Sequence, residues 1–221
     1  MNMEEKVINF RSCFDVIGPI MVGPSSSHTA GALQIGLMAR ALLGEEPKKM
    51  ICVYYESFAQ THKGHGTDFA IVSGILGFSA DDTRVPDALE IAENKGLKIE
   101  FIEKQENSPV NHANTADIYL YGENKSIRLM GVSVGGGAIE VRYFELEGLC
   151  VHVQGTLPIL IERLGIQRDL KTLLESHGMI INNSQIVQND MVSFQIFELR
   201  TLLSPTLKAI LADFPQLYML A

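Results

Sequence analysis

The chain has 221 residues, of which 46% are hydrophobic and 20% are charged, as is typical of a globular protein with a sizeable core. Its 26 acidic and 18 basic residues give a net charge of -8, which repels phosphodiester backbones, so we expect no nucleic-acid partner. The apolar runs are shorter than a membrane span, and the start "MNMEEKVINFRSCF" lacks the layout of a signal peptide. We therefore expect a cytoplasmic protein.

Residues 1–154 are predicted to form a first α+β domain with its helices mostly early and its strands mostly late. Helical spacing in "HTAGALQIGLMARALLG" ends at Gly44, and a β-branched and aromatic strand follows in "MICVYYESFA". Two more helices are predicted in "GTDFAIVSGILGF" and "PDALEIAENKG". The later strands are "LKIEFIEK", "TADIYLYG", "SIRLMGVSVG" and "AIEVRYFEL", the last of which turns back at Glu147-Gly148 into a hairpin.

Residues 155–221 are predicted to form a second, smaller domain. A strand in "TLPILIERL" precedes a helix whose apolar face includes Ile166 and Leu170. The strands "MIINNSQIVQ" and "MVSFQIFEL" come next, then a helix with Ser204 as its N-cap, then a last strand in "QLYMLA". This βαββαβ order predicts a ferredoxin-like unit.

The three cysteines are far apart and form no CxxC pair, so the spacing indicates neither a zinc site nor an iron–sulfur site. Cys13, Cys52 and Cys150 each lie in an apolar stretch, and we interpret them as buried free thiols. The alternative is that the three thiolates together hold a cluster.

The stretch "GPSSSHTAG" at residues 23–31 carries more polar side chains than a helix N-terminus needs. One hydroxyl is enough to cap a helix, but here three serines, His28 and Thr29 lie at the entrance. Hydroxyls beside the free N–H groups of a first turn can hold a carboxylate or a phosphate. Histidine adds a group that exchanges a proton near neutral pH. The other interpretation is a single cap followed by a solvated loop.

Two further segments are candidates for the same site. In "THKGHGTD", His65 lies between two glycines, in a predicted loop after a strand and before a helix, and it is a candidate base. His62 in the same segment is interpreted as an ordinary loop histidine. In "SVGGGAIE", Gly135, Gly136 and Gly137 either surround an anion or form a tight bend between strands. The polar turn in "NHANTAD" is a weaker candidate of the same kind.

These segments together, in the order "GPSSSHTAG", "HKGHGTD", "NHANTA" and "VGGGAIE", resemble the β subunit of the bacterial iron–sulfur L-serine dehydratases. The resemblance runs from about residue 10 to the end. His62 replaces a glycine that is usual in this family, and "NHANTA" departs from the usual "HPNTA". The C-terminal βαββαβ unit resembles an ACT domain, a regulatory module that often binds amino acids.

The resemblance implies a two-subunit enzyme that converts L-serine to pyruvate and ammonia, with a [4Fe-4S] cluster held by the partner α subunit and no metal ligand in this chain. It implies an N-terminal domain of the substrate-binding type found in some phosphoglycerate dehydrogenases. We expect His65 to be the base and His28 a second proton-handling group, although the two roles are exchangeable. The residues expected to bind substrate are Ser25, Ser26, Ser27, Thr29, Gly64, Gly66, Thr67, Asn114, Gly135, Gly136 and Gly137.

Two alternatives remain at this point. A pyridoxal-phosphate serine dehydratase would need a Schiff-base lysine and a much longer chain. A non-catalytic amino-acid sensor would use the C-terminal unit for binding and the first domain only for regulation. We also expect the C-terminal unit to self-associate, because its strands "MVSFQIFEL" and "QLYMLA" are apolar on both registers and one sheet edge is otherwise unprotected.

Overall fold

The computed structural model describes residues 20–165, 169–214 and 216–221, so Cys13 and Ile166 lie outside the described residues. It contains two separate sheets flanked by helices, which confirms the predicted α+β class. Within the described residues, none of the helices is long and apolar enough to cross a membrane.

The first unit begins with a π-helical turn and ends with a meander of antiparallel strands. Its helices are the π-helical turn Ser26–Gly31, α1 (Ala32–Leu43), α2 (Glu56–His65), α3 (Thr67–Leu76), a 3₁₀ turn Val85–Asp87 and α4 (Ala88–Asn94). Its strands are β1 (Lys49–Tyr55), β2 (Lys98–Lys104), β3 (Thr115–Tyr121), β4 (Ser126–Gly135), β5 (Ala138–Leu146) and β6 (Leu149–His152). The predicted helices and strands are present, and α2 is an addition that the sequence did not predict.

The six strands form one sheet in the order β2-β1-β3-β4-β5-β6, in which only the β1–β2 pair is parallel. Alternate residues of each strand point into a shared apolar core, for example Cys52, Ile118 and Leu129 in one row across the sheet. The hairpin turn lies where it was predicted, and Glu147 and Gly148 both have positive φ, at 49° and 78°. Such a turn matches the twist of the two strands that it joins.

Helices α1 and α3 cross at two glycines. A Cβ atom on Gly36 would lie 2.3 Å from the carbonyl oxygen of Ile71, and one on Gly74 would lie 2.1 Å from that of Leu33. Neither position has room for a side chain, so the backbones of the two helices are in direct contact. This contact fixes α3, and with it the α2–α3 corner that precedes it, against the serine-rich entrance of α1.

The second unit is a four-stranded antiparallel sheet in the order β10-β7-β9-β8, the strand order of a ferredoxin-like fold. Its elements are β7 (Ile159–Arg163), α5 (Leu170–Ser176), β8 (Ile181–Gln188), β9 (Ser193–Leu199), α6 (Pro205–Ala212) and β10 (Leu217–Leu220). Ser204 caps α6, as predicted, because its side chain accepts a hydrogen bond from the Leu207 N–H at 3.2 Å.

The second sheet is covered on both faces. Leu160 and Phe197 pack with α5 and α6, whereas Ile161 and Ile196 on the opposite face belong to the same apolar core as the first unit. On that inner face the buried Glu198 carboxylate accepts hydrogen bonds from the segment between the units; the donors are the N–H groups of Gln154 at 2.7 Å and Gly155 at 3.3 Å. The two units therefore share one core, and the division of the chain into domains at 154/155 stays a prediction.

One expectation about the strands is wrong. Cys52 is buried as expected, but Cys150 is exposed, because its neighbours Leu149 and Val151 are the residues of β6 that point inward. In the second sheet β9 pairs with β7 on one side and β8 on the other, so the two edges of that sheet are β8 and β10.

Candidate active site

The serine-rich stretch forms the π-helical turn that leads into α1. Ser25 is its N-cap, with extended backbone, and its Oγ accepts a hydrogen bond from the His28 N–H at 3.1 Å. The Ser26 and Ser27 side chains are partly buried, and neither hydroxyl hydrogen-bonds another residue among those described. One serine thus serves as the cap, and two hydroxyls stay available at the mouth of the helix. Single π turns are often found at functional sites.

Gly31, at the end of the π turn, permits a close approach of strand β4. A Cβ atom there would lie 2.2 Å from Ser133 Oγ. Ser133 is fully buried, and its Oγ has no hydrogen-bond partner among the described residues. The Ser133 N–H donates to the Asn114 carbonyl oxygen at 3.0 Å, and the Asn114 side-chain amide donates to the Ser133 carbonyl oxygen at 3.4 Å. Asn114 and the serine loop are therefore neighbours through Ser133.

His65 is the last residue of helix α2, so the prediction of a loop between β1 and the next helix is wrong. The helix begins at Glu56, whose φ of 44° is in the left-handed region, and it ends where Gly66, also left-handed at 71°, turns the chain into α3. Its first turn is held by the Ala113 carbonyl oxygen, which accepts from the Ser57 N–H at 3.0 Å. This helix places His65 at an exposed corner rather than in a flexible loop.

His28 and His65 come together. Their ring centroids are 4.8 Å apart with the planes at 75°, and the Thr29 hydroxyl donates to the His65 carbonyl oxygen at 3.0 Å. His28 Nε2 lies 3.2 Å from Ser57 Oγ, and its Nδ1 lies 3.5 Å from Ser25 Oγ. Both ring nitrogens of His28 thus face hydroxyls, whereas no described residue hydrogen-bonds a ring nitrogen of His65.

The electrostatics favour a neutral His28. Partial burial, and then the charge of His65, lower the pKa of His28 from its usual 6.5. A neutral imidazole beside an exposed second imidazole can accept a proton at neutral pH. The pair therefore has the chemistry of a proton-transfer site.

Other predicted residues surround the pair along the chain or at the same end of the sheet. Thr67 is fully buried, and its hydroxyl has no partner among the described residues. Gly64 lies within α2, with open space around the position of a Cβ atom. Gly135, Gly136 and Gly137 form the tight turn between β4 and β5, with φ of 104°, 62° and 84°. That turn begins two residues after Ser133 and so lies at the same end of the sheet as the serine loop.

Sequence reasoning missed two residues of this site. Ser57 bonds His28, and the buried Ser133 lies against Gly31. Ser133 stands immediately before "VGGG" in a segment that was already singled out. Ser57 carries no such signal, because the contact that brings it to His28 spans 29 residues.

His62 is also placed differently from its prediction. It is not a loop histidine: only 3% of it is exposed, and both ring nitrogens face carboxylates. Nδ1 lies 2.6 Å from Asp68 Oδ1, and Nε2 lies 2.8 Å from Glu103 Oε1.

The two thiols that the structure describes, Cys52 and Cys150, lie far apart in the sheet. Residues Cys52, Ile118, Leu129, Phe144 and Val151 form one row across the sheet, so Cys150 points to the opposite face, four strands away from Cys52. Over residues 20–165, 169–214 and 216–221, no three His, Cys, Asp or Glu side chains are arranged to hold a metal ion.

Comparison with known proteins agrees with these features. Residues 12–142 match the family described as serine dehydratase beta chain. The chain is 41% identical to the probable L-serine dehydratase beta chain of Bacillus subtilis over 83% of this chain and 84% of that one. It is 34% identical to the L-serine dehydratase beta chain of Peptoniphilus asaccharolyticus, over 75% and 73%.

Longer relatives match over a shorter region. L-serine dehydratase 2 of Escherichia coli is 40% identical over 86 residues, which is 36% of this chain and 17% of that protein. The chain therefore belongs to the serine dehydratase beta chain family and is a subunit of an L-serine ammonia-lyase.

Proposed function

We propose that this chain supplies the proton-handling and substrate-binding side of an active site that is completed by a partner α subunit, and that the site converts L-serine to pyruvate and ammonia. The observation that carries the proposal is the contact between the His28 and His65 rings at the hydroxyl-lined entrance of α1. The two histidines are 37 residues apart in sequence, yet the fold brings them to the same point.

The hydroxyls at the entrance suit the carboxylate of an amino acid. Ser26 and Ser27 have no hydrogen-bond partner among the described residues, and they lie in the first turn of an 18-residue helical stretch whose N–H groups carry partial positive charge. Ser25 is already used as the cap and as a partner of His28. We assign carboxylate binding chiefly to Ser26 and Ser27, with Thr29 fixing the backbone of His65.

His65 is the proposed base. Elimination of water from serine requires removal of the α-proton, and a base within hydrogen-bond reach accelerates such a step by about 10²–10⁴-fold. The His65 residue is exposed and no described residue hydrogen-bonds its ring nitrogens, so a ring nitrogen is available to the substrate Cα. His28 stays neutral beside it and can share or relay the proton through Ser57. The β-hydroxyl takes up a proton from the histidine pair and leaves as water. The resulting enamine converts to its imine form, whose hydrolysis gives pyruvate and ammonia.

A [4Fe-4S] cluster on the α subunit is part of the proposal. The described residues of this chain do not fit such a group, because Cys52 lies in the core and Cys150 lies on the other face of the sheet. When bound in the partner, the cluster supplies a Lewis-acidic iron that assists departure of the hydroxyl. The role of this chain is to bind the carboxylate and to accept the proton.

The test is reconstitution. The purified chain is expected to be colourless and to form no pyruvate from L-serine; adding the α subunit, with its cluster intact, is expected to restore turnover. Pyruvate formation is followed by a coupled assay, and the α subunit alone is the control. Visible absorbance and turnover from the isolated chain would contradict the two-subunit proposal, as would full turnover from the α subunit without this chain.

The C-terminal unit is proposed to be a regulatory, self-associating module of the ACT type. The strand order β10-β7-β9-β8 supports this assignment, and so does the edge strand β8, in which the Ile186 side chain is 60% exposed. Sedimentation of the full chain is expected to show a dimer or larger species at micromolar concentration, and a monomer would contradict it. Calorimetry with free amino acids, with and without the α subunit, distinguishes this role from that of a purely amino-acid-sensing subunit.

A further inference from the structure

We propose that His62 is a positioning residue for His65: with Asp68 and Glu103 it forms a hydrogen-bonded bridge, hereafter the His62 bridge, that fixes the corner between α2 and α3. The inference rests on the proposed role of His65. It concerns a residue that takes no part in the chemistry described above and that the sequence indicated to be an ordinary loop histidine.

Both ring nitrogens of His62 lie within hydrogen-bond distance of carboxylate oxygens. Nδ1 of His62 lies 2.6 Å from Asp68 Oδ1 and Nε2 lies 2.8 Å from Glu103 Oε1. A carboxylate only accepts hydrogen bonds, so each ring nitrogen that carries a proton donates to one of the two carboxylates. Such charge-assisted hydrogen bonds are about twice as strong as neutral ones. The hydrogen bond from His62, and then that from Lys63, lower the pKa of Glu103, which keeps this partner ionised.

The surroundings of the bridge come from four elements. Asp68 lies on α3 and Glu103 lies on β2. Lys63, on α2, places its Nζ 3.0 Å from the Glu103 oxygen that His62 also contacts. The ring of Tyr54, on β1, lies 4.8 Å from the His62 ring. The His62 side chain is 4% exposed and that of Asp68 is 16% exposed. Removing the imidazole would therefore leave a largely buried carboxylate on α3 without this partner, which is a costly arrangement.

The bridge acts on His65 through the end of α2. His65 follows His62 by three residues, which is about one helical turn, and the single residue Gly66 then turns the chain into α3, where Asp68 lies. Lys63, Gly64 and His65 are all exposed, so this last turn has little packing of its own. Asp68 on one side of the corner and His62 on the other are therefore joined directly, and Glu103 attaches both to the sheet. Loss of the bridge would let the last turn of α2 fray and would displace His65 from His28.

The experiment compares His62→Ala with Lys63→Ala in the full chain. Lys63 is the matched control because it is adjacent, on the same helix, and bonded to the same Glu103 oxygen, but it is exposed. In His62→Ala we expect the NMR signals of the His65 ring to shift or broaden, and kcat of the reconstituted enzyme to fall by about 10-fold or more with little change in KM, since a misplacement of about 1 Å can cost about 10²-fold. In Lys63→Ala both readouts are expected to match the parent.

The inference is overturned if His62→Ala leaves the His65 signals and kcat unchanged, or if Lys63→Ala has the same effects. Should His62→Ala fail to fold, Glu103→Gln removes one anion from the exposed end of the bridge. The NMR signals of the His65 ring are then expected to shift in the same way but by less, and unchanged signals also overturn the inference. The NMR readout needs no activity. A His65→Ala variant with normal turnover would refute the proposed function while leaving the coupling of His62 to His65 measurable in the isolated chain.

Discussion

Replacing Gly64 with alanine should stabilise the chain and impair the enzyme. Gly64 lies inside α2 and its φ is not positive. Apart from its chain neighbours and the local helix backbone, no atom of the described residues lies within 4 Å of the position that a Cβ would take. A glycine inside a helix is less stable than alanine by about 0.5–1 kcal/mol. For a protein of this size about 1 kcal/mol corresponds to a change in Tm of about 2–4 °C, so we expect Tm to rise by about 1–4 °C.

The expected loss of activity comes from the proposed site. The described surroundings of Gly64 give no packing reason for a glycine, and a residue one position from the proposed base would border the proposed substrate site. A methyl group in that space is expected to lower kcat/KM by about 10-fold or more, because small displacements of reacting groups are costly. Thermal melts of the isolated chain and steady-state kinetics of the reconstituted enzyme measure the two effects separately.

Gly36→Ala is the matched control, because it is the same substitution in another helix. There the Cβ would lie 2.3 Å from the Ile71 carbonyl oxygen, so Tm is expected to fall, at the cost of about 1–3 kcal/mol that overpacking usually brings. A fall in Tm for Gly64→Ala would refute the helical environment assigned to that residue. A rise in Tm with unchanged kcat/KM would refute its place beside the substrate.

Two further predictions concern the cap of the serine loop and the pair of histidines. Ser25→Ala and Ser204→Ala each remove an N-cap hydrogen bond, so each should lower the free energy of unfolding by about 0.5–2 kcal/mol. Only Ser25→Ala should also lower turnover, because Ser25 faces His28. Equal turnover in the two variants would contradict the proposed site. Burial and His65 lower the pKa of His28 below 6.5, so the unfolded chain binds more protons than the folded one as the pH falls from 6.5 towards the lower pKa of the folded state. The His28 contribution to stability is therefore full above pH 6.5 and is lost as the pH falls through the folded pKa. Urea unfolding at several pH values checks this sign, and NMR titration of His28 in His65→Ala should show its pKa rising while staying below 6.5, because burial, the larger cause, remains; an unchanged or lower pKa would show that the two rings do not interact.

The parts of the fold that depend on local patterns could be predicted from the sequence. Apolar alternation located the strands, Ser204 was identified as a cap, and Glu147-Gly148 was identified as a hairpin turn, since each depends on residues close together in the chain. The exposure of Cys150 could also have been derived, because a strand that points Leu149 and Val151 inward must point the residue between them outward.

Helix α2 and the surroundings of His62 could not be predicted in this way. The helix sequence "ESFAQTHKGH" is mostly polar and contains a glycine, so it shows only a weak apolar pattern. The hydrogen-bond partners of His62 are Glu103, 41 residues further along the chain, and Asp68, which follows the turn at Gly66. The contact of His28 with Ser57 is of the same kind. Contacts of this range follow from the packing of α2 between β2 and the serine loop, which no local pattern contains.

The measurement that tests the central claim most directly is the turnover of the reconstituted enzyme with His65→Ala. His65 is exposed, and among the described residues its hydrogen bond to the rest of the site is made by its backbone carbonyl, so the variant should fold with a Tm close to that of the parent chain. If His65 removes the α-proton, kcat for pyruvate formation from L-serine should fall by about 10²–10⁴-fold. Near-normal turnover in the folded variant would contradict the account and would place the base on His28 or on the partner subunit.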